Sequence, residues 1–215
     1  MQVLAERNDI RYGLLEEVDL AEMARTIGDV FSQSDPLAVA AHITTEEIQA
    51  FVSMFGPKAV AEGLTVIARD RSGKLVGAMF SEDFGTPTPH LEHLPESFAP
   101  VGALLDSLDA AYRLTQSIVV GSHAHLVMLA VFSSLSGRGI AQNLVKLCLE
   151  NAAKRGYRLA VTEATGPISQ HIFRKLGFRE RLIASYKDFR FDDQPVFESI
   201  EIARGTILMD FTFLS

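Results

Sequence analysis

The stretch LVMLAVFSSLSGRGIAQNLVK, residues 126–146, decides the fold because it joins three structural elements in a fixed order. It begins as an unbroken apolar run, which predicts a β-strand buried on both faces. A loop of Ser and Gly follows the run. An amphipathic helix is predicted next, with its apolar positions at Ile140, Leu144, Leu147 and Cys148.

The loop between this strand and this helix is suited to bind an anion. The first N–H groups of a helix have no partner within it, and the helix dipole is positive at that end. Gly137 and Gly139 lack side chains, so a phosphate can approach the backbone, and Arg138 adds fork-shaped donors. A glycine turn that merely connects strand to helix fits the loop equally well.

Spacing tests two other phosphate-binding motifs. A P-loop requires Gly-Lys-Ser/Thr, and this tripeptide does not occur in the sequence. A dinucleotide-binding fingerprint requires a third glycine where Gln142 stands. Glu163, near the end of the next predicted strand, is placed where a ribose-binding acid would lie. A Rossmann-type oxidoreductase is therefore disfavoured but stays open.

Residues 136–141, SGRGIA, resemble the pyrophosphate loop of the GCN5-related N-acetyltransferase (GNAT) superfamily, whose pattern is Gln/Arg-x-x-Gly-x-Gly/Ala. Gly139 and Ala141 match this pattern, and Ser136 departs from its usual Gln or Arg. The strand, loop and helix around the motif are in the order that the resemblance implies.

A second stretch, residues 166–178 (GPISQHIFRKLGF), resembles the other motif of this superfamily. Its end, KLGF, matches well. Gly166, Ser169 and Phe173 take the places of an Asn, an Ala and a Tyr. The two motifs follow one another in the family's order, separated by one predicted helix and one predicted strand.

The resemblance implies a single domain over residues 1–215 with the GNAT acyltransferase fold, a mixed and mostly antiparallel α/β sheet with helices on both faces. It also implies acetyl-CoA as cosubstrate, with its pyrophosphate on the loop amides and its pantetheine arm beside the central strand. The residues implied to bind it are Leu129, Ala130, Val131, Gly137, Arg138, Gly139, Ile140, Ala141, Gln142, Asn143, Ser169 and Phe173.

The remaining pattern also indicates a mixed sheet, because strands alternate with helices only in the second half. Strands are predicted at residues 10–15, 64–69, 75–80, 157–162, 179–190 and 200–213. Helices are predicted at residues 18–31, from 44 to a stop at Gly56-Pro57, at 101–116, and from Pro167 onward, and residues 58–62 could add another turn after the stop. Residues 85–100 contain four prolines, which predicts a loop.

The sequence Asp35-Pro36-Leu37 resembles a narrower branch, the arylalkylamine and dopamine N-acetyltransferases of insects and their relatives. There an acidic residue, usually Glu, precedes Pro-Leu. The resemblance implies acetyl transfer to a primary amine of a small molecule in a ternary complex, with Asp35 as the base. A purely structural role for Asp35, capping the turn ahead of Pro36, is the alternative.

Phe173 stands where the superfamily usually has a tyrosine that protonates the departing thiolate, and phenylalanine cannot donate a proton. In the amine-acetylating branch, serines on this helix and its preceding loop are implicated. Ser169 matches one of these positions and Thr165, also a hydroxyl, matches the other. Either hydroxyl could instead only cap the helix or line the cosubstrate.

Composition limits the partners of the chain. It has 215 residues with a net charge of −7, which argues against nucleic acid and is compatible with a cationic amine. No basic-then-apolar leader and no apolar run of about 18 residues are present, so we expect a cytoplasmic protein without a membrane partner. A homodimer is neither required nor excluded by the sequence.

The six histidines do not predict a metal site. His90 and His93 lie in the proline-rich loop, and His123 and His125 lie two apart before the central strand. Neither pair comes with a second cysteine or with suitably spaced carboxylates, so hydrogen-bonded or solvated histidines are expected. His125 is the one placed to face an acceptor. A protein that binds CoA or an acyl-CoA without transferring the acyl group remains the competing class.

Overall fold

The chain folds around one mixed β-sheet, and our computed structural model describes residues 2–87 and 94–213. Within these ranges eight strands pair in the order β1-β2-β3-β4-β5-β6-β8-β7. Their bounds are Val3–Arg7 (β1), Ile10–Leu14 (β2), Val66–Arg69 (β3), Leu75–Asp83 (β4), His123–Val131 (β5), Leu159–Ala164 (β6), Arg179–Ser185 (β7) and Gly205–Thr212 (β8).

All neighbouring strands are antiparallel except β5 and β6, which form the one parallel pair among the described strands. This topology confirms the mixed, mostly antiparallel sheet expected from the sequence. It also rules out a dinucleotide-binding Rossmann fold, which requires consecutive parallel strands with crossover helices.

Helices cover both faces of the sheet, as predicted. Within the described residues they are Leu20–Ser34 (α1), Pro36–Ala40 (α2), Thr45–Glu62 (α3), Ala99–Arg113 (α4), Ile140–Lys154 (α5) and Pro167–Lys175 (α6). The apolar sides of α5 and α6 pack on one face, against a core that includes Met79, Leu126 and Ala164. Helices α1 to α4 bury their apolar residues on the opposite face.

The predicted stop at Gly56-Pro57 is wrong, because α3 runs through both residues to Glu62. Gly56 lies where α3 crosses α1: a Cβ there would come within 2.7 Å of a methyl group of Leu20. The glycine therefore permits close helix packing rather than ending a helix. The helix ends instead at Gly63, which has a left-handed φ of 62°.

Several other boundaries also differ from the sequence prediction. Strand β1 was not predicted, nor was the short helix α2 after Asp35. Pro100 lies in the first turn of α4 rather than in a loop, a position that tolerates the missing N–H. Strands β7 and β8 are shorter than the stretches predicted for them. The structure describes only part of the proline-rich loop predicted at residues 85–100, and His90 and His93 lie outside the described residues.

Strands β5 and β6 pair over only the first part of their length. The gap where they diverge forms the candidate site. They pair from His123↔Leu159 to His125↔Val161. A last link follows, in which the hydroxyl of Thr162 donates to the carbonyl of Leu126 over 2.8 Å. Beyond it the β6 side of β5 borders a cleft that contains Leu129 and Val131 in its lining.

A β-bulge in β5 lies at the same level. The register with β4 passes from Phe80↔Met128 to Ser81↔Leu126, so Val127 is an extra residue without its own partner on β4. Below the bulge Leu126 faces the α5 side, and above it Met128 faces the α1 side. Bulges re-aim side chains and are common beside active sites.

Strand β8 supports the cleft-lining strand β6 from its other side, although it comes last among the described strands. It is inserted between β6 and β7, and it pairs with both in antiparallel register. Its residues Leu208 and Ile207 lie opposite Glu163 and Ala164 of β6. The end of β6 that borders the cleft is therefore supported by β8.

No described helix is both long and apolar enough to cross a bilayer.

Candidate active site

One continuous cleft, with a volume of about 710 Å³, connects the glycine loop to the turn between α1 and α2. Gly137, Gly139 and Ile140 line one end, and Asp35 and Thr165 line the other. The cleft passes along the exposed side of β5 between these ends. The glycine loop and Asp35, which the sequence predicts to belong to one site, line the same cleft.

The glycine loop has the geometry of an anion cradle. Gly137 and Gly139 have φ values of 77° and 74°, in the left-handed region that favours glycine. A Cβ at either position would meet no described heavy atom within 4 Å, so the space above both residues is open. Gly139 also precedes the first turn of α5, whose amides point into this space. Ala141 and Gln142 line the same end.

Three residues predicted to bind the cosubstrate lie outside the lining of the cleft. Ala130 is completely buried in the core on the α1 side. The guanidinium of Arg138 donates to the carbonyl of Asn8 in the β1–β2 turn over 3.1 Å. The amide side chain of Asn143 donates to the hydroxyl of Tyr12 over 3.2 Å. The side chains of Arg138 and Asn143 therefore hold the β1–β2 hairpin against the glycine loop.

The contacts of Asp35 show the capping role and are compatible with the role of base, the two roles that the sequence left open. Its Oδ1 accepts hydrogen bonds from the amides of Leu37 and Ala38, at 3.1 and 2.9 Å, and so caps α2. Its Oδ2 accepts a hydrogen bond from the hydroxyl of Thr165 over 2.5 Å. Burial raises the pKa of Asp35 above its ordinary value, although these three donors partly oppose the change. A carboxylate with a raised pKa is a stronger base.

Thr165 is held in place from its other side as well. The hydroxyl of Tyr186 donates to the carbonyl of Thr165 over 2.7 Å and lies 3.0 Å from the hydroxyl of Thr206. Tyr186 is buried, with only 1% of its surface exposed. Hydrogen bonds to Asp35 and from Tyr186 thus hold Thr165 in place in the cleft lining. The sequence offered a capping role or a place beside the cosubstrate as alternatives for Thr165, and its hydroxyl donates to the candidate base.

Ser169 and Phe173 both line the cleft from α6. The hydroxyl oxygen of Ser169 accepts a hydrogen bond from the amide of Gly166 over 3.3 Å and so caps the helix, and the hydroxyl donates to the carbonyl of Gly166 over 3.0 Å. Phe173 is 2% exposed and packs edge-on against Phe178, with ring centroids 4.9 Å apart. In this position Phe173 provides an apolar wall and no proton.

Glu163 is a cleft residue that the sequence analysis considered only as a ribose-binding acid. Its Oε2 lies 2.7 Å from Nε2 of His125, whose Nδ1 is 3.4 Å from Oε1 of Glu82. His125 was expected to face the acceptor, but it lies behind Glu163, and its ring contacts that of Phe84 in a tilted arrangement with centroids 4.7 Å apart. The available signal in the sequence was the single charged residue of the strand LAVTEA. In the described ranges no group of three His, Cys, Asp or Glu residues could hold a metal ion.

The ion pairs of His125 make the stability of the protein dependent on pH. Burial lowers the pKa of His125, but Glu163 and Glu82 raise it more strongly, from 6.5 to about 10 overall. The folded state thus keeps a proton that the unfolded state releases above pH 6.5. This stabilisation is complete below pH 6.5 and is lost as the pH rises to about 10.

We therefore expect the stability advantage of the wild type over His125→Gln to shrink steadily between pH 6.5 and about 10. The measurement is the free energy of unfolding in urea for both proteins at four pH values. Subtracting the free energy of unfolding of the variant from that of the wild type removes the contribution of groups that titrate alike in both proteins. An advantage that stays constant or grows over this range would contradict the assignment of the proton to His125.

Comparisons with known proteins agree with this geometry. The model of the Acetyltransferase (GNAT) family matches residues 49–178, more than half of the chain. The match begins in α3 and ends with the GF pair after α6, so it includes both the glycine loop and the second motif. It confirms the family resemblance found in the sequence.

Solved structures with similar folds include three proteins of low sequence identity. Arylalkylamine N-acetyltransferase 2 from Aedes aegypti has 20% identity and a TM-score of 0.83, covering 95% of this chain and 99% of its own. The Drosophila melanogaster polyamine N-acetyltransferase, which catalyses the formation of N-acetylagmatine, has 17% identity and a TM-score of 0.77, covering 95% and 100%. The C-terminal condensation domain of Ebony in complex with beta-alanyl-dopamine has 13% identity and a TM-score of 0.86, covering 95% and 99%. These similarities show a shared fold.

Proposed function

The chain belongs to the Acetyltransferase (GNAT) family, and from this premise we propose that it transfers the acetyl group of acetyl-CoA to a primary amine of a small molecule. The observation that carries the proposal is the single cleft that joins the Gly137–Gly139 loop to Asp35. A cosubstrate bound along β5 and an acceptor bound near Asp35 would meet inside it. The amine acetyltransferases among the similar folds support the choice of acceptor.

The residues around the loop fit acetyl-CoA. The open space above Gly137 and Gly139 admits a diphosphate, and the free amides of the first α5 turn supply donors to it. The border of β5 at Leu129 and Val131 offers backbone groups to the amides of a pantetheine arm. The thioester, when bound, supplies an activated acetyl carbon. Arg138 and Asn143 would act on this site through the hairpin that they anchor.

Asp35 and Thr165 fit the role of proton acceptor for the amine. An ammonium must lose a proton before its nitrogen has a lone pair to attack with. We assign the oxygen of Thr165 as the first acceptor, with its own proton passing to Oδ2 of Asp35 along their 2.5 Å hydrogen bond. Asp35 ends the step protonated, which its raised pKa favours. Phe173 cannot protonate the departing thiolate, so the proton must come from Ser169, which lines the cleft, from water or from the bound amine.

The direct test is to incubate the purified protein with acetyl-CoA and a panel of primary amines, with release of free CoA as the readout. We expect turnover with at least one class of amine and formation of its N-acetyl product by mass spectrometry. If acetyl-CoA raises the melting temperature but no amine is acetylated, the protein is the non-catalytic binder and the proposal fails. If a nicotinamide cofactor but not CoA stabilises the protein, the family-based assignment of the cosubstrate fails as well.

The relay through Thr165 predicts a specific pattern of variants. Thr165→Val keeps the shape of the side chain but removes the hydroxyl, so we expect kcat to fall about 10- to 100-fold, at the lower end of proton-transfer catalysis. Thr165→Ser retains the hydroxyl and should keep kcat within about threefold, a range below 1 kcal/mol. Steady-state kinetics at saturating acetyl-CoA measures both. Equal kcat values for Thr165→Val and wild type would show that Asp35 takes the proton without Thr165.

A further inference from the structure

Glu163 carries an oxygen that the fold leaves without a partner at the acceptor end of the cleft. Its side chain is 9% exposed and lies in the cleft wall. Oε2 is held by His125, but Oε1 is buried and has no hydrogen-bond partner among the described residues. Such an unsatisfied acceptor is unfavourable, and a donor that reaches it relieves the penalty. The terminal torsion of glutamate is soft, so a small rotation can turn Oε1 toward a donor in the cleft.

A buried network of alternating charges ends at Glu163. Lys58 pairs with Glu62 and Glu82, at 3.1 and 2.7 Å, and His125 lies between Glu82 and Glu163. With His125 protonated, the network holds three carboxylates and two cations. One negative charge is therefore uncompensated within the network. The end of the network that borders the cleft is the carboxylate of Glu163.

Glu163 and the proposed base border the same cleft. Thr165 directly follows β6, two residues after Glu163 and about 7 Å further along the chain, and both residues are in the cleft lining. Thr165 contacts Asp35 directly. Two acidic groups thus border the acceptor end, separated by roughly the length of a short alkyl chain. Lys175, the one lysine or arginine that lines the described part of the cleft, lies on α6.

We propose that Glu163 binds a second ammonium group of the acceptor, so that the preferred substrates are linear alkyldiamines rather than monoamines. The inference rests on the proposed function. One ammonium gives up its proton near Thr165 and Asp35, while the other stays charged and donates to Oε1 of Glu163. Because the second ammonium takes no part in the reaction, its binding acts mainly on KM.

The test compares 1,4-diaminobutane with butylamine, which lacks only the second amino group. We expect the wild type to favour the diamine by about 10- to 100-fold in kcat/KM, the range for a hydrogen bond to a charged group. Glu163→Gln keeps an oxygen for the hydrogen bond to His125 but removes the charge. We expect it to bring the ratio of the two kcat/KM values close to 1, mainly through a higher KM for the diamine. Glu180→Gln, at an exposed residue, is the matched charge control and should keep the wild-type ratio.

The outcomes separate the two proposals. If the wild type acetylates butylamine, or an aromatic monoamine such as 2-phenylethylamine, as efficiently as the diamine, acetyl transfer stands and the role of Glu163 is refuted. If Glu163→Gln lowers kcat for both amines equally and leaves their ratio unchanged, Glu163 supports the fold and does not select the acceptor. If the wild type acetylates no amine, the proposed function itself fails.

Discussion

Asp35→Asn is expected to lower kcat for amine acetylation by about 10²- to 10⁴-fold, the contribution typical of a positioned proton acceptor. The substitution removes the negative charge and the basic oxygen that accepts a hydrogen bond from Thr165. It keeps Oδ1, which caps α2 through Leu37 and Ala38, because asparagine is as good an N-cap as aspartate. Steady-state kinetics with the preferred amine at saturating acetyl-CoA measures the effect.

The stability of this variant separates chemistry from folding. Burial raises the pKa of Asp35 above 3.8, so the folded state binds its proton more tightly than the unfolded state. The stabilisation from this group is complete below pH 3.8 and is lost as the pH rises through the folded pKa. At neutral pH the variant should therefore be at least as stable as the wild type. Full turnover by a folded Asp35→Asn protein would refute Asp35 as the base.

The second large effect concerns the loop that we assign to the diphosphate. Gly139→Ala is expected to raise KM for acetyl-CoA at least about 10-fold, equivalent to 1.4 kcal/mol of binding energy. Its φ of 74° disfavours any side chain, and the new methyl group would occupy the open space above the amides of α5. At saturating acetyl-CoA kcat should change little, because the glycine loop lies at the opposite end of the cleft from Asp35.

Gly73→Ala provides a matched control for this substitution. Gly73, in the β3–β4 turn, has a φ of 86° and likewise has no described atom within 4 Å of a Cβ position. Both variants should lose about 1–2 kcal/mol of folding free energy from left-handed strain. Only Gly139→Ala should bind acetyl-CoA more weakly, by isothermal calorimetry or by KM. A similar loss of affinity in both would mean that general destabilisation, and not the loop, is responsible.

The part of the site that could be predicted from the sequence is local. The strand, the glycine loop and the first turn of α5 are contiguous, so their conformation follows from residues 126–146 alone. The strand β5 was recognised from its apolar run, and α6 from Pro167 and its apolar spacing. The turn at Asp35 was likewise recognised as a capping position, and the capping hydrogen bonds are present.

The acceptor side was harder to predict because distant segments build it. Thr165 meets Asp35 across 130 residues of sequence, and Glu163 is fixed by His125 and Glu82 on two other strands. The run at Gly56-Pro57 was misread for a similar reason. In isolation it matches a helix stop, and only the approach of Leu20 from α1 explains the glycine. The pattern of a short stretch of sequence carries no information about such tertiary contacts.

The position of β8 has a consequence for how the protein becomes active during synthesis. A ribosome releases β6, α6 and β7 before Gly205–Thr212 has emerged, yet β8 must enter between β6 and β7. Until then the strand that carries Glu163 has no neighbour on that side. The glycine loop and α5 can form earlier from residues already outside the exit tunnel. The nascent chain would thus form the glycine loop and α5 first, and would fix the position of Glu163 only once β8 has paired with β6.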